Sequence, residues 1–240
     1  MIRIAAVGDV HFGDDSAGAM RPHFENLREQ ADVLLVAGDL TRHGLAPEAE
    51  ILAEELRAAP VPVIAILGNH DYHCDAQDEI RALLEGAGVT VLEGESKVMQ
   101  IAGRTLGVVG SKGFGGGFAG ACGSDFGEPE MKAFIRHTKS LSDHIFKELS
   151  GLDTDYRVVL LHYSPVEDTL VGERLEIYPF LGSYLLAEAI DSAGADLIIH
   201  GHAHGGSEKG LTAGGIDVRN VAQPMLERPY TVYCLGSSSD

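Results

Sequence analysis

Short apolar runs recur along the chain, and each stops at a glycine or a polar side chain. They cover residues 2–7, 33–36, 61–67, 104–109, 158–161 and 197–199. The runs are continuous rather than alternating, as strands are when both faces are covered. Between them lie stretches with helical spacing. Pro47 opens one, with Leu52, Leu56 and Ala59 on a shared stripe. Asp75 is placed to cap the next, with Ile80, Leu83 and Leu84 inward and Gly86 or Gly88 beyond its end. Pro129 begins the longest, where Met131, Phe134, Ile135, Leu141 and Ile145 keep the period to about Ser150. Ser183 can cap a further helix that ends at Gly194. Strands alternating with helices predict an α/β fold with parallel pairing through right-handed crossovers.

Two segments break this rhythm. Residues 110–127 are rich in glycine (Gly113, Gly115, Gly116, Gly117, Gly120) and are expected to be irregular. Residues 164–182, with Pro165 and Pro179 inside, separate His162 from the next helix. Loops of this length in a compact domain are commonly functional, which points to a lid or a close backbone approach to the ligand. Weaker runs near 216–221 and 230–235 predict a second, partly antiparallel sheet. Neither irregular segment has the composition of a linker, so one domain is expected over residues 1–240.

The side chains that end the apolar runs carry the chemistry. Gly8-Asp9-Val10-His11, Gly38-Asp39 and Gly68-Asn69-His70-Asp71 follow the first three, and Asp9, Asp39 and Asn69 are spaced by 30 and 30 residues. That interval is the length of one strand–helix–strand unit. His162 ends a later run, and Gly201-His202-Ala203-His204 follows another. Asp9, His11, Asp39, Asn69, His162, His202 and His204 therefore sit at five strand ends, where an open α/β sheet places its active site. His202 and His204 can turn both rings into one site while Ala203 points away. Carboxylate, amide and imidazole without thiolate suit Mn or Fe, with Zn or Mg as alternatives, rather than a structural zinc. Seven ligands exceed the needs of one ion and fit two divalent ions about 3.5–4 Å apart, with Asp39 as the natural bridge.

The bulk composition narrows the field. A net charge of −18 argues against nucleic acid as partner, since phosphate backbones are gripped by basic faces. Cys74, Cys122 and Cys234 form neither a CxxC pair nor a disulfide framework. The chain starts directly in a strand, leaving no room for a signal peptide, and no apolar run reaches the roughly 20 residues of a membrane span. A cytoplasmic location is expected, and the oligomeric state stays open.

Taken together, Asp9-Val10-His11, Gly38-Asp39, Gly68-Asn69-His70-Asp71, His162 and Gly201-His202-Ala203-His204 resemble the five motif blocks of the calcineurin-like metallophosphoesterases, in order, from residue 8 to residue 204. The resemblance implies a four-layer α/β/β/α sandwich with two mixed sheets. It implies one ion held by Asp9, His11, Asp39 and His204, and another held by Asp39, Asn69, His162 and His202. It also implies hydrolysis of a small phosphoester by a metal-bridging hydroxide, with His70 assisting the leaving oxygen and Asp71 orienting its imidazole. A phosphodiester such as a nucleotide or cyclic nucleotide is favoured. The alternatives are a phosphomonoesterase or protein phosphatase, and a non-catalytic metal-binding scaffold. The chain departs from the common Gly-Asp-x-x-Asp pattern, because Arg42 stands three residues after Asp39. Arg42 or His43 could instead bind a phosphate oxygen. A nuclease would need a basic track near Arg42, Lys112 and Arg174. His200 reads as a core or supporting residue rather than a ligand.

Overall fold

The computed structural model describes residues 1–236. Thirteen strands are present among them: β1 (Ile2–Val7), β2 (Val33–Ala37), β3 (Val63–Ile66), β4 (Thr90–Val91), β5 (Ser96–Ile101), β6 (Arg104–Ser111), β7 (Gly117–Phe118), β8 (Ala121–Cys122), β9 (Tyr156–Leu161), β10 (Leu197–His200), β11 (Lys209–Leu211), β12 (Asp217–Asn220) and β13 (Thr231–Leu235). One mixed sheet has the order β13-β1-β2-β3-β4, and a second has the order β11-β12-β10-β9-β6-β5. Within the first, β1 to β4 run parallel and β13 lies antiparallel to β1. Within the second, β12, β10, β9 and β6 are parallel, and β11 and β5 form antiparallel edges.

Side chains alternate between the two faces of a strand, and here both faces are apolar because both are covered. Ile4, Ala6, Val33, Leu35 and Ile64 of the first sheet pack against Leu106, Val108, Val158, Leu160 and Ile199 of the second. The intervening residues Ala5, Val7, Leu34 and Val36 face outward onto Leu52, Leu56, Ile80 and Leu84. Those four belong to helices Ala46–Leu56 and Gln77–Gly86. On the far side, Val159, Leu161 and Ile198 pack under Ile145, Leu149, Leu186 and Ile190. These come from helices Pro129–Ser150 and Tyr184–Ala193. The result is the four-layer α/β/β/α sandwich.

Several expectations are corrected. Residues 230–235 do not join the second sheet, because β13 pairs with β1 and completes the first. The glycine-rich segment is not wholly irregular: its beginning is the end of β6, and β7 and β8 form a small hairpin. Asp75 lies short of the helix, whose N-cap is Ala76 without a side-chain cap. Ser183 does cap its helix, accepting from the Leu185 N–H at 3.3 Å.

Leu160 is fully buried at the centre of the sheet–sheet layer. Leu160→Ala should lower the unfolding free energy by about 2–5 kcal/mol in urea titrations, with the strand-end loops intact at low denaturant.

Candidate metal centre

The first three parallel strands of one sheet and strands β9 and β10 of the other end at the same edge of the sandwich, and their loops converge there. One ligand atom each from Asp9, His11, Asp39 and His204 lies within 4.8 Å of the others, and the same holds for Asp39, His162 and His202. Asp39 belongs to both groups. Asn69 joins the second, its Oδ1 lying 3.0 Å from His162 Nε2. All seven sequence candidates are thus brought together.

The backbone is bent to achieve this. Asp9, His11, Asp39 and His202 have φ of 55°, 44°, 48° and 70°. Left-handed backbone costs an L-residue about 1–2 kcal/mol, and such strain collects at functional sites. Glycines supply the remaining room. A Cβ on Gly68 would collide with the Asp39 backbone and carboxylate, and one on Gly201 would collide with the Asp9 carboxylate.

The hydrogen bonds define which ring atoms remain free. His162 Nδ1 donates to the Ala37 carbonyl at 2.9 Å, which turns Nε2 toward the cluster. Nε2 faces two oxygen atoms, Asn69 Oδ1 at 3.0 Å and Asp39 Oδ1 at 3.3 Å. His202 Nε2 faces the Phe180 carbonyl at 3.2 Å, which leaves Nδ1 unprotonated. His11 Nε2 and His204 Nε2 stand 3.5 Å apart. An acceptor-rich cluster of this kind fits cations, and its oxygen and nitrogen donors suit hard or borderline divalent ions. Carbonyl partners on the distal ring nitrogens are the usual support for metal-binding imidazoles.

Titration follows the same geometry. Burial works against the charge on Asp9, but the His204 hydrogen bond and the facing His162 hold its carboxyl below the ordinary range. The Asp9 bond in turn raises His204. Burial pushes His202 down to about 3 and His200 down to about 4. His200 is fully buried, with Nε2 2.8 Å from Thr169 Oγ1 and Nδ1 2.7 Å from the Gly201 carbonyl. It supports the His202–His204 turn from below, as does Asn220, which donates to the Ala203 carbonyl at 2.8 Å.

His70 borders the cluster, its ring centroid 4.5 Å from that of His11. Its Nδ1 donates to the Arg42 carbonyl at 2.7 Å, and its Nε2 lies 3.9 Å from Asp39 Oδ2. The expected contact between Asp71 and this imidazole is replaced by that carbonyl. Asp71 is fully buried and accepts from the N–H groups of Leu40, Thr41 and Gly68 and from the Thr41 hydroxyl. It ties the Asp39 loop to the Asn69 loop. Burial raises its carboxyl to about 6 despite those donors.

The Arg42 guanidinium meets Asp15 at 2.8 Å, and His43 Nδ1 meets Glu48 at 2.7 Å. Arg174 pairs with Glu176 at 3.6 Å, so Arg42 and Arg174 do not extend a basic track. Lys112 was not singled out for catalysis by its sequence context. Its Nζ lies 4.5 Å from the Tyr72 ring centroid, 5.2 Å from Phe114 and 5.8 Å from Tyr163. Tyr163 in turn packs on His202 with centroids 4.4 Å apart. Burial lowers the Lys112 ammonium, while Glu93 and Asp39 act in the other direction.

The sequence matches the calcineurin-like phosphoesterase family over residues 2–206, and the chain belongs to that family. Its fold is shared with the phosphopantetheinyl hydrolase PptH from Mycobacterium tuberculosis, at 17% identity over 92% of this chain and 89% of that one, with a TM-score of 0.65. It is also shared with the protein TT1561 of Thermus thermophilus, at 17% identity over 93% and 90% of the two chains, with a TM-score of 0.56. No curated protein matches the sequence. The family and the His/Asp cluster together indicate a binuclear site for divalent cations, and a hydrolase of phosphoesters.

Strain at His11 makes a direct test. In EDTA-treated protein, His11→Gly should be more stable than His11→Ala by about 0.5–1 kcal/mol, reversing the usual order. Thermal melts of the two variants check this.

Proposed function

We propose that the chain is a binuclear-metal phosphodiesterase, with Asp9, His11, Asp39 and His204 holding one ion and Asp39, Asn69, His162 and His202 the other. The observation that carries this reading is the convergence of carboxylate, amide and imidazole ligand atoms around Asp39. Manganese or iron suits the donor set, with zinc or magnesium as alternatives. When bound, the two ions supply an acidified water and neutralise charge on the phosphoryl oxygens.

The residues of the chain do the rest. The carboxylates of Asp9 and Asp39 offset only part of the charge of two divalent ions, so the site attracts an anion. His70 Nδ1–H is fixed on the Arg42 carbonyl, which aims Nε2 toward Asp39 and the space above it. Nε2 is then the atom that carries a proton to the departing oxygen. Asp71 serves as a positioning residue, locking the two loops that bear Asp39 and His70. Lys112, held by Tyr72 and Tyr163, is the cation positioned to meet a phosphate oxygen of the substrate. Arg42 and His43 are already paired with carboxylates, which supports the singly charged diester over the doubly charged monoester.

The shared core between the sheets, closed by β13 beside β1, supports a single domain. Among the described residues no helix is long and apolar enough to cross a membrane. Three exposed, unpaired cysteines support a reducing compartment such as the cytoplasm.

With Mn²⁺ added, hydrolysis of bis-p-nitrophenyl phosphate should exceed that of p-nitrophenyl phosphate and vanish in Asp39→Ala. His70→Ala should lower kcat by about 10²–10⁴-fold with metal content, read by elemental analysis, unchanged. Metal lost in step with activity would make His70 structural. Lys112→Met should raise KM about tenfold or more and leave metal content unaltered; an unchanged KM removes Lys112 from the substrate site.

A further inference from the structure

The two irregular segments meet beside the metal centre. Gly116 N–H donates to the Pro179 carbonyl and Gly117 N–H to the Gly182 carbonyl, each at 2.8 Å. The hairpin is thereby fastened to the short helix Tyr178–Leu181. Between them and helix Pro129–Ser150 lies a cavity of about 520 Å³ lined by Gly116, Cys122, Met131, Phe134, Pro179 and Phe180 among others. That volume falls within the roughly 300–1,000 Å³ of small-molecule sites. Glu130, exposed to solvent, is the one charged residue on its wall.

The cavity and the metal centre share a residue. Phe180 places its carbonyl on the ligand candidate His202 at 3.2 Å and also lines the cavity. An aromatic path runs the same way, from His202 through Tyr163 and Phe114 to Phe134 and Phe180, with successive centroids 4.4, 5.6, 5.0 and 6.4 Å apart. Phe180 is 61% exposed and Met131 44% exposed. Large apolar side chains left this open beside one another form an apolar patch of the kind that marks a binding site.

We propose that this cavity receives an apolar alkyl or aryl group carried by the substrate phosphoester. The inference rests on the phosphoesterase reading above and names the kind of alcohol esterified. A nucleobase fits less well. Its edge presents donors and acceptors that would lose water and find almost no polar side chain in return. An alkyl chain loses nothing polar, and each methylene buried strengthens binding about fourfold, equivalent to about 0.8 kcal/mol.

The test uses Mn²⁺-loaded protein and two series of ligands. Calorimetry compares methyl-, butyl- and octylphosphonate, and kinetics compares the p-nitrophenyl esters of methyl, butyl and octyl phosphate with that of thymidine 5′-phosphate. Butyl should exceed methyl by roughly 30-fold or more in affinity and in kcat/KM. The butyl-to-methyl ratio should fall toward one in Met131→Glu, and also in Phe180→Ser should the first variant fold poorly. Octylphosphonate bound no more tightly than methylphosphonate overturns the proposal, whatever the turnover. A thymidine ester preferred over the octyl ester overturns it in favour of a nucleobase. A dimer abolished by Met131→Glu, without chain-length dependence, assigns the cavity to a second copy and also overturns it. Chain-length-dependent binding without hydrolysis of any ester upholds the cavity and refutes the phosphoesterase reading instead.

Discussion

Lone pairs that face one another across a few ångströms repel unless a cation stands between them. This chain devotes much of its architecture to holding such a set in place. The facing ligand atoms of Asp39, Asn69 and His162 come from three loops on two different sheets. They are brought together because both sheets end their parallel strands at one edge. The layer of Leu35, Ile64, Val108, Val158 and Leu160 between the sheets is therefore what sets the distance between donors. Interiors packed at crystal-like density transmit displacement rather than absorb it. A shift of one sheet against the other would move His162 and His202 relative to Asp9 and Asp39 together.

Much of this was legible in the sequence. Continuous apolar runs marked both-face burial, and the polar residues that ended them marked the site. What escaped was what sequence spacing does not encode. The partners of His70, His162 and His202 are the carbonyls of Arg42, Ala37 and Phe180, and a carbonyl has no side-chain signature. Asp71 is adjacent to His70 in sequence, yet it turns the other way because buried N–H groups of Leu40, Thr41 and Gly68 need an acceptor. The sheet that β13 joins is not legible in the sequence, because an edge position is decided by which neighbour is free, and composition says nothing of that. The glycine-rich segment read as irregular because glycine lowers strand propensity. Gly115, Gly116 and Gly117 are instead required by close approaches, as at Gly117, where a Cβ would strike the Ala121 carbonyl.

Charge is distributed with equal economy. The chain carries a net charge of −18, yet the residues around the cluster are arranged so that few cations are left to compete for it. Arg42 and His43 each lean on a carboxylate, while Lys112 is packed among rings and makes no salt bridge among the described residues. With two divalent ions bound, the centre would draw anions toward an otherwise acidic protein. That favours small substrates, which can approach without bringing extended negative charge against the surface.

The segment between His162 and His202 has a consequence for how such a protein can change. It leaves the cluster at one ligand candidate and returns at Phe180 to fix the ring of another, while the same residue walls the apolar cavity. Substrate preference and cation affinity are thus written on one piece of chain. A lineage that remodels this stretch to accept a new alcohol also disturbs the tautomer of His202, so new specificities must arise by changes that spare the Phe180 carbonyl. The face supplied by helix Pro129–Ser150, which carries Met131 and Phe134 and touches no ligand, is the part free to vary.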